Sequence, residues 1–411
     1  MAGFPRRAAR PWGHVVRDGG LELFDEEAAR ELPRRGGRSR RRRARMFMMA
    51  ILIGVVVGAA WFGVQQVLGF GMFGDYEGPG EDDVLIEISP GQSIGAMGSK
   101  LAEADVVATS RAFISASEEN GEVASIQPGY YVMKTRMSGE QAASRIVAPS
   151  SRVGQLQIRP GTHLHDIKQP DGSVTPGVLS KLSEASCADL NGKSTCVSKE
   201  QLRKTIEETD LAALGAPGWA AEDAAKADPK HRLEGLVMPG VYDVKPGLSA
   251  KELLHKVLSE SSASLQAWGM PTIAERTGYR PYEVLIMASL IEREGVRSDF
   301  GKVSRVIYNR LKDEQKLQFD STVNYVLDRP EVRTTAEDRG RAGPYNTYAN
   351  NGLPPTPISS PGKSAIAAAA QPEEGPWRFF VKCYKNGISC FAETPAQHDA
   401  NRREAQARGA Y

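Results

Sequence analysis

Two carboxylates two residues apart, Glu292 and Glu294, close the segment Ala288-Ser289-Leu290-Ile291-Glu292-Arg293-Glu294-Gly295 after a mostly apolar run. A helix ends in partial negative charge, so an ionised carboxylate there is disfavoured, and apolar neighbours raise its pKa further. A carboxyl that keeps its proton near neutral pH is what a general acid needs. Glu294 continues the face of Met287, Leu290 and Ile291, whereas Glu292 points about 200° away on a helix. Taken alone, the octapeptide fits an ordinary solvated helix end, with Arg293 as charge partner, better than it fits a catalytic site.

The chain downstream reverses that weighting. Leu317-Gln318-Phe319-Asp320-Ser321-Thr322-Val323-Asn324-Tyr325, Tyr345-Asn346-Thr347-Tyr348 and the Pro-rich 352–362 stretch are dense in amides, hydroxyls and aromatic rings in loop settings. That is the equipment of a sugar-binding cleft, where rings stack on pyranose faces and amides hold acetamido groups. Gln318, Asp320, Ser321, Thr322, Tyr345, Asn346 and Thr347 are the candidate contacts, and Glu294 is the candidate catalytic group.

Other literal motifs carry less. Gly69-Phe70-Gly71-Met72-Phe73-Gly74 spells a dinucleotide fingerprint but follows an apolar helix rather than a strand. Gly362-Lys363-Ser364 ends like a phosphate loop, yet the first glycine it needs falls on Pro357. Ser360 and Lys363 have the spacing of acyl-serine enzymes, but Pro361 and Gly362 between them disfavour the shared helical face. His163 and His165, after the Pro160-Gly161 turn, read as a solvated loop rather than a metal site. Neither a metal nor another cofactor is expected.

The elements that must position Glu294 are a helix from Pro281 to Glu294, started by proline and stopped by Gly295, and a second helix over Val303–Leu311. Strands are expected at Trp377–Tyr384 and Ile388–Ala392. A strand, a turn, a Ser cap and an amphipathic helix recur at 84–107, 129–147 and 240–258, with a truncated copy at 156–167. Their spacing is too irregular for a solenoid. The reading is an α+β chain with a small domain at 82–150 and a larger one at 151–400, the latter carrying a polar, Ala-rich insert at 168–230.

The total charge of +2 averages two compartments of opposite sign: residues 1–45 hold 13 Arg against six acidic residues, and the rest nets −5. Between them, residues 46–68 are uncharged and long enough to cross about 30 Å of hydrocarbon as a helix. An Arg cluster before it and acidic residues after it place the N-terminus in the cytoplasm and everything after about residue 75 outside. The first 45 residues carry too little apolar surface to fold alone and are expected to be disordered. No basic and aromatic interleaving points to nucleic acid. The four cysteines fall as Cys187 with Cys196 and Cys383 with Cys390, which in an oxidising space read as two local disulfides; zinc is the rival reading. The Asn386-Gly387 turn between the second pair makes that bridge a staple across a hairpin.

These motifs, in this order, resemble the endolytic murein transglycosylases of the YceG-like (MltG) type over about residues 82–400. The resemblance rests on Glu234-Gly235 with Pro239 and Tyr242, Ala-Ser-Leu-Ile-Glu-Arg-Glu, Asn309-Arg310-Leu311, Leu-Gln-x-Asp-x-Thr-Val, Tyr-Asn-Thr-Tyr, Gly-Leu-Pro-Pro-x-Pro-Ile, and the late Phe391 and His398. It implies a single N-terminal membrane helix with the rest periplasmic, a LysM-like small domain, and Glu294 as catalytic acid/base with Glu292 nearby. It also implies glycan strands of nascent peptidoglycan as substrate, cut between N-acetylmuramic acid and N-acetylglucosamine to leave 1,6-anhydro ends, and peptidoglycan synthases as partners. The chain departs from the family pattern at Ser321, usually Pro, and at 387–390, where a Gly-x-His is usual; the disulfide replaces any structural work of that histidine. A membrane-anchored peptidoglycan-binding scaffold without catalysis, and an ordinary hydrolase, are the alternatives.

Overall fold

A computed structural model describes residues 46, 48–60, 74–327 and 334–410. The expected cytoplasmic tail and the 61–68 part of the expected membrane helix lie outside those residues. Residues 48–60 are helical, with apolar side chains such as Leu52 and Ile53 exposed. Among the described residues no helix is long and apolar enough to cross a membrane.

The chain divides into Met1–Met72 and Phe73–Tyr411. The second unit is α+β, built from short sheets and many helices around two buried clusters. The smaller cluster lies under a three-stranded antiparallel sheet of Asp83–Ile88, Gly129–Lys134 and Arg152–Val153, with the central strand pairing both others. Helices Ile94–Glu103, Ser110–Glu119 and Gly139–Val147 bury Leu101, Phe113 and Ile146 against it. Each such side chain contributes about 1.5–3 kcal/mol by leaving water.

The recurring strand-and-capped-helix unit is realised. Ser93, Ser138 and Ser249 each cap the helix that follows their strand, accepting from the N–H groups of Ala96, Gln141 and Glu252. The truncated copy, Gln155–Ile158, has no helix of its own and instead pairs antiparallel with Gly240–Asp243, joining two units into one two-stranded ribbon. The insert holds two small hairpins and the helices Val178–Ala185, Lys199–Glu208 and Gly218–Ala224. Its second hairpin, Asp189–Leu190 with Lys193–Ser194, is closed by the Cys187–Cys196 disulfide. At the tip, Asn191 reaches back to the first strand of the unit. Its Oδ1 accepts from the Asp83 N–H at 2.6 Å, its N–H donates to Asp83 Oδ2 at 3.1 Å, and its Nδ2 donates to the Asp83 carbonyl at 3.1 Å.

The larger cluster centres on the helix Pro281–Glu294, which buries every residue from Val284 to Ile291. A helix apolar on all faces belongs in a core. It is flanked by Phe300–Lys312 and by Lys363–Ala370, whose alanines permit close approach. Gly295 ends the helix, though not in the left-handed conformation that the stop signal implies: its φ is −120°, open to any residue. A Cβ there would stand 3.1 Å from Val303 Cγ2, a tight contact that asks that side chain to give by a few tenths of an ångström. The expected C-terminal strands form the hairpin Phe379–Lys382 with Ser389–Ala392, stapled by the Cys383–Cys390 disulfide.

Candidate active site

Glu294 emerges half-buried from the end of its helix. Burial pushes its carboxyl above the usual range, and the negative charge of Asp320 adds to the rise. The hydroxyl and backbone N–H of Ser321 and the charge of Lys382 pull the other way, without cancelling it. The Ser321 hydroxyl is buried, lacks a partner in good hydrogen-bond geometry and sits against this carboxyl.

The two walls that carry these neighbours are tied by Asn309 and Arg310. Asn309 Nδ2 donates to the carbonyls of Gly375 and Trp377, and Arg310 donates to those of Arg378, Lys316 and Leu317. Arg310 is buried enough that its pKa falls to about 10. The guanidinium fork thus links the base of the hairpin bearing Lys382 to the segment leading into Ser321.

The remaining predicted contacts meet in one wall beside Glu294, but most turn their polar atoms inward. Thr322 and Thr347 share a 2.9 Å hydroxyl contact, and Thr347 also accepts from the Phe319 N–H. Asn346 donates to the carbonyls of Arg339 and Arg341 and accepts from the Tyr348 N–H. Tyr345 is buried, with its hydroxyl 2.8 Å from that of Thr356. Asp320 accepts from Tyr348 and Thr334 at 2.6 and 2.7 Å and faces Arg339. Gln318 differs from these: its side chain is exposed and its φ is +52°, a left-handed conformation rare outside glycine.

Glu292 takes the other face of the helix. It accepts from the Gly362 N–H at 3.0 Å, and burial raises its pKa. Next to it, Gly161 donates to the Ser360 carbonyl and Ser360 to that of Thr162, so the Pro-rich loop is stitched to the 159–162 turn. Ser289 completes the seam by accepting from the Ile358 N–H at 3.0 Å.

One carboxyl escaped functional reading in the sequence. Glu234 is 1% exposed and accepts from the Leu164 N–H with both oxygens and from the Tyr325 hydroxyl, all at 3.0 Å. Burial pushes it up to about 7. The available signal was a carboxylate inside the apolar run Leu233-Glu234-Gly235-Leu236-Val237-Met238. His163, expected in a solvated loop, is instead buried at 8% exposure, with its pKa lowered to about 3 and its Nε2 without a partner. The loop folds inward because Leu164, next in sequence, belongs to the core. Among the described residues no group of three or more His, Cys, Asp or Glu is placed to hold a metal ion.

The profile of the YceG-like family matches residues 86–404. The chain belongs to the YceG-like family. It is 28% identical over 77% of its length to a Bacillus subtilis protein named endolytic murein transglycosylase, covering 83% of that protein. A Streptococcus pneumoniae protein of the same name is 24% identical over 85% of this chain, which spans 63% of that relative's length. A crystal structure of a YceG-like protein from Listeria monocytogenes superposes with a TM-score of 0.52 at 25% identity, covering 77% of this chain and 98% of the other.

Proposed function

We propose that this protein is an endolytic peptidoglycan lytic transglycosylase that cuts the β-1,4 bond between N-acetylmuramic acid and N-acetylglucosamine in nascent glycan strands. The observation that carries this reading is the half-buried Glu294 with its raised pKa, while the neighbouring carboxylates are engaged, Glu292 with Gly362 and Asp320 with Tyr348 and Thr334. Hydrolases of this bond commonly use two carboxylates. A single acid/base suffices when the nucleophile is internal. Glu294 protonates the glycosidic oxygen as the C1–O bond breaks, then takes the proton of the muramic C6 hydroxyl as that oxygen bonds to C1. The products are a 1,6-anhydromuramic end and a free 4-hydroxyl, with no water consumed. The names of the Bacillus and Streptococcus relatives support the same activity.

In this reading Glu292 is a supporting residue that holds the 353–362 loop, Gln318 faces the substrate, Ser321 sits against Glu294, and Asp320, Thr322, Tyr345, Asn346 and Thr347 shape the cleft wall. A membrane helix at 46–68 anchors the chain with its tail in the cytoplasm, and the 82–150 portion acts as a LysM-like glycan-binding module near peptidoglycan synthases. Glu294→Gln is expected to lower the rate by about 10²-fold or more while glycan binding persists. Mass spectrometry of digested murein decides: anhydro ends support the transglycosylase, reducing ends a hydrolase, and no cleavage by the wild type a binding scaffold.

A further inference from the structure

The helix Asp320–Tyr325 presents Ser321 to Glu294 but spans only six residues, too few to hold itself together. Its two ends are anchored differently. At the start, Phe319 and Thr322 are tied to Thr347. At the end, Tyr325 donates its hydroxyl to Glu234 Oε2 at 3.0 Å, leaving its oxygen to accept from His231 Nδ1 at 2.9 Å. The rings of His163, His231 and Tyr345 pack around Tyr325 with centroids 5.6, 5.3 and 4.9 Å away. Glu234 is itself fixed by the Leu164 N–H, and Gly235 lies so close to Pro357 that a Cβ would stand 2.3 Å from Pro357 Cβ. Taking a carboxyl wholly out of water is costly unless hydrogen bonds offset it. The bonds that do so here run to the Leu164 N–H and to Tyr325, at the far end of the helix that faces Glu294.

We propose that Glu234 is a positioning residue of the transglycosylase site: through Tyr325, with His231 as the second partner, it fixes the 320–325 helix so that Ser321 meets Glu294 in a productive geometry. This rests on the reading of Glu294 as the acid/base. Misplacing a catalytic neighbour by about 1 Å can cost on the order of 10²-fold in rate, so loss of the latch reads out in kcat more than in KM.

The test uses the full-length protein on soluble, uncrosslinked glycan strands. Tyr325→Phe, which removes one hydroxyl, is expected to lower kcat roughly tenfold or more with KM within about twofold, and to speed amide exchange across 320–325. Added to Ser321→Ala, it is expected to cost less than about twofold further, because both act along one path. Glu234→Leu should match Tyr325→Phe, and Glu234→Gln should restore most of the rate, since an amide can accept from Leu164 and donate to Tyr325. Full activity of Tyr325→Phe, losses that multiply with Ser321→Ala, or unchanged exchange across 320–325 overturns the latch. If Glu234→Leu does not fold, Tyr325→Phe decides alone. Full activity of Glu294→Gln overturns the acid/base reading instead, and the exchange measurement still judges whether the helix is held by Glu234.

Discussion

At the residue scale burial and the charge of Asp320 raise the pKa of Glu294, and Ser321 and Lys382 lower it. A donor must carry its proton, so on the proposed acid role of Glu294 activity is expected to decline as pH rises through its raised pKa. Lys382 lowers that pKa and Asp320 raises it. Lys382→Ala should therefore move the alkaline limb of the rate profile to higher pH, and Asp320→Asn should move it to lower pH. Shifts of equal sign in the two variants would contradict the assignment. Glu234 offers a separate check through stability. Its ordinary carboxyl value is 4.5 and its folded value about 7, so its contribution is fullest below 4.5 and is lost as pH rises to about 7. His163 and His231, lowered from 6.5 to about 3 and about 4, act oppositely and weaken the fold as pH falls. Relative to the wild type, Glu234→Gln should gain thermal stability between about pH 5 and pH 7.5; parallel melting curves across that window would exclude the effect. Glu294 stands out in the sequence as a carboxylate at the end of an apolar helix, but that octapeptide alone fits a solvated helix end better, and the amide- and hydroxyl-rich segments downstream are what single it out as a candidate. Glu234 carries an equally local sign, yet its partners Leu164 and Tyr325 lie far off in the chain, and only the folded structure brings them together.

At the scale of elements, periodicity and caps located the helix Pro281–Glu294, the C-terminal hairpin and the repeated capped units, since each is fixed by residues within its own span. Loops were less legible. The inward turn of His163 depends on Leu164 entering a core built mostly from other segments, and the inward-facing amide of Asn346 and hydroxyl of Thr347 depend on partners in 319–322 and 339–341. The same logic marks Gly235 as one of the glycines that cannot take a side chain without strain. Gly235 has φ +71° and lies against Pro357, so Gly235→Ala meets both backbone strain and a backbone-anchored ring. A loss of roughly 2 kcal/mol or more is expected from denaturant unfolding, whereas Gly172→Ala, also at positive φ but with open space, should cost less.

At the scale of the whole molecule, the disulfide-closed hairpin of the insert acts as a strut. Asn191 is bound to Asp83 through three hydrogen bonds, and Arg152 joins Asp243 and the Pro128 carbonyl across the same boundary. Asn191→Ala should speed amide exchange in the strand Asp83–Ile88 and cost about 1–3 kcal/mol, while the rate on soluble glycan stays within about twofold. Unchanged exchange there would show that the strut bears nothing. Four ties around the candidate site join residues 69 to 91 positions apart: Ser289 with Ile358, Glu292 with Gly362, and Glu234 with Leu164 and Tyr325. Only a fragment running from Leu164 to Gly362 or beyond contains them all. Closing such long loops costs entropy before any contact rewards it, so during refolding helical signal returns ahead of activity, and a single backbone nick between Glu234 and Tyr325 leaves secondary structure largely intact while dismantling catalysis.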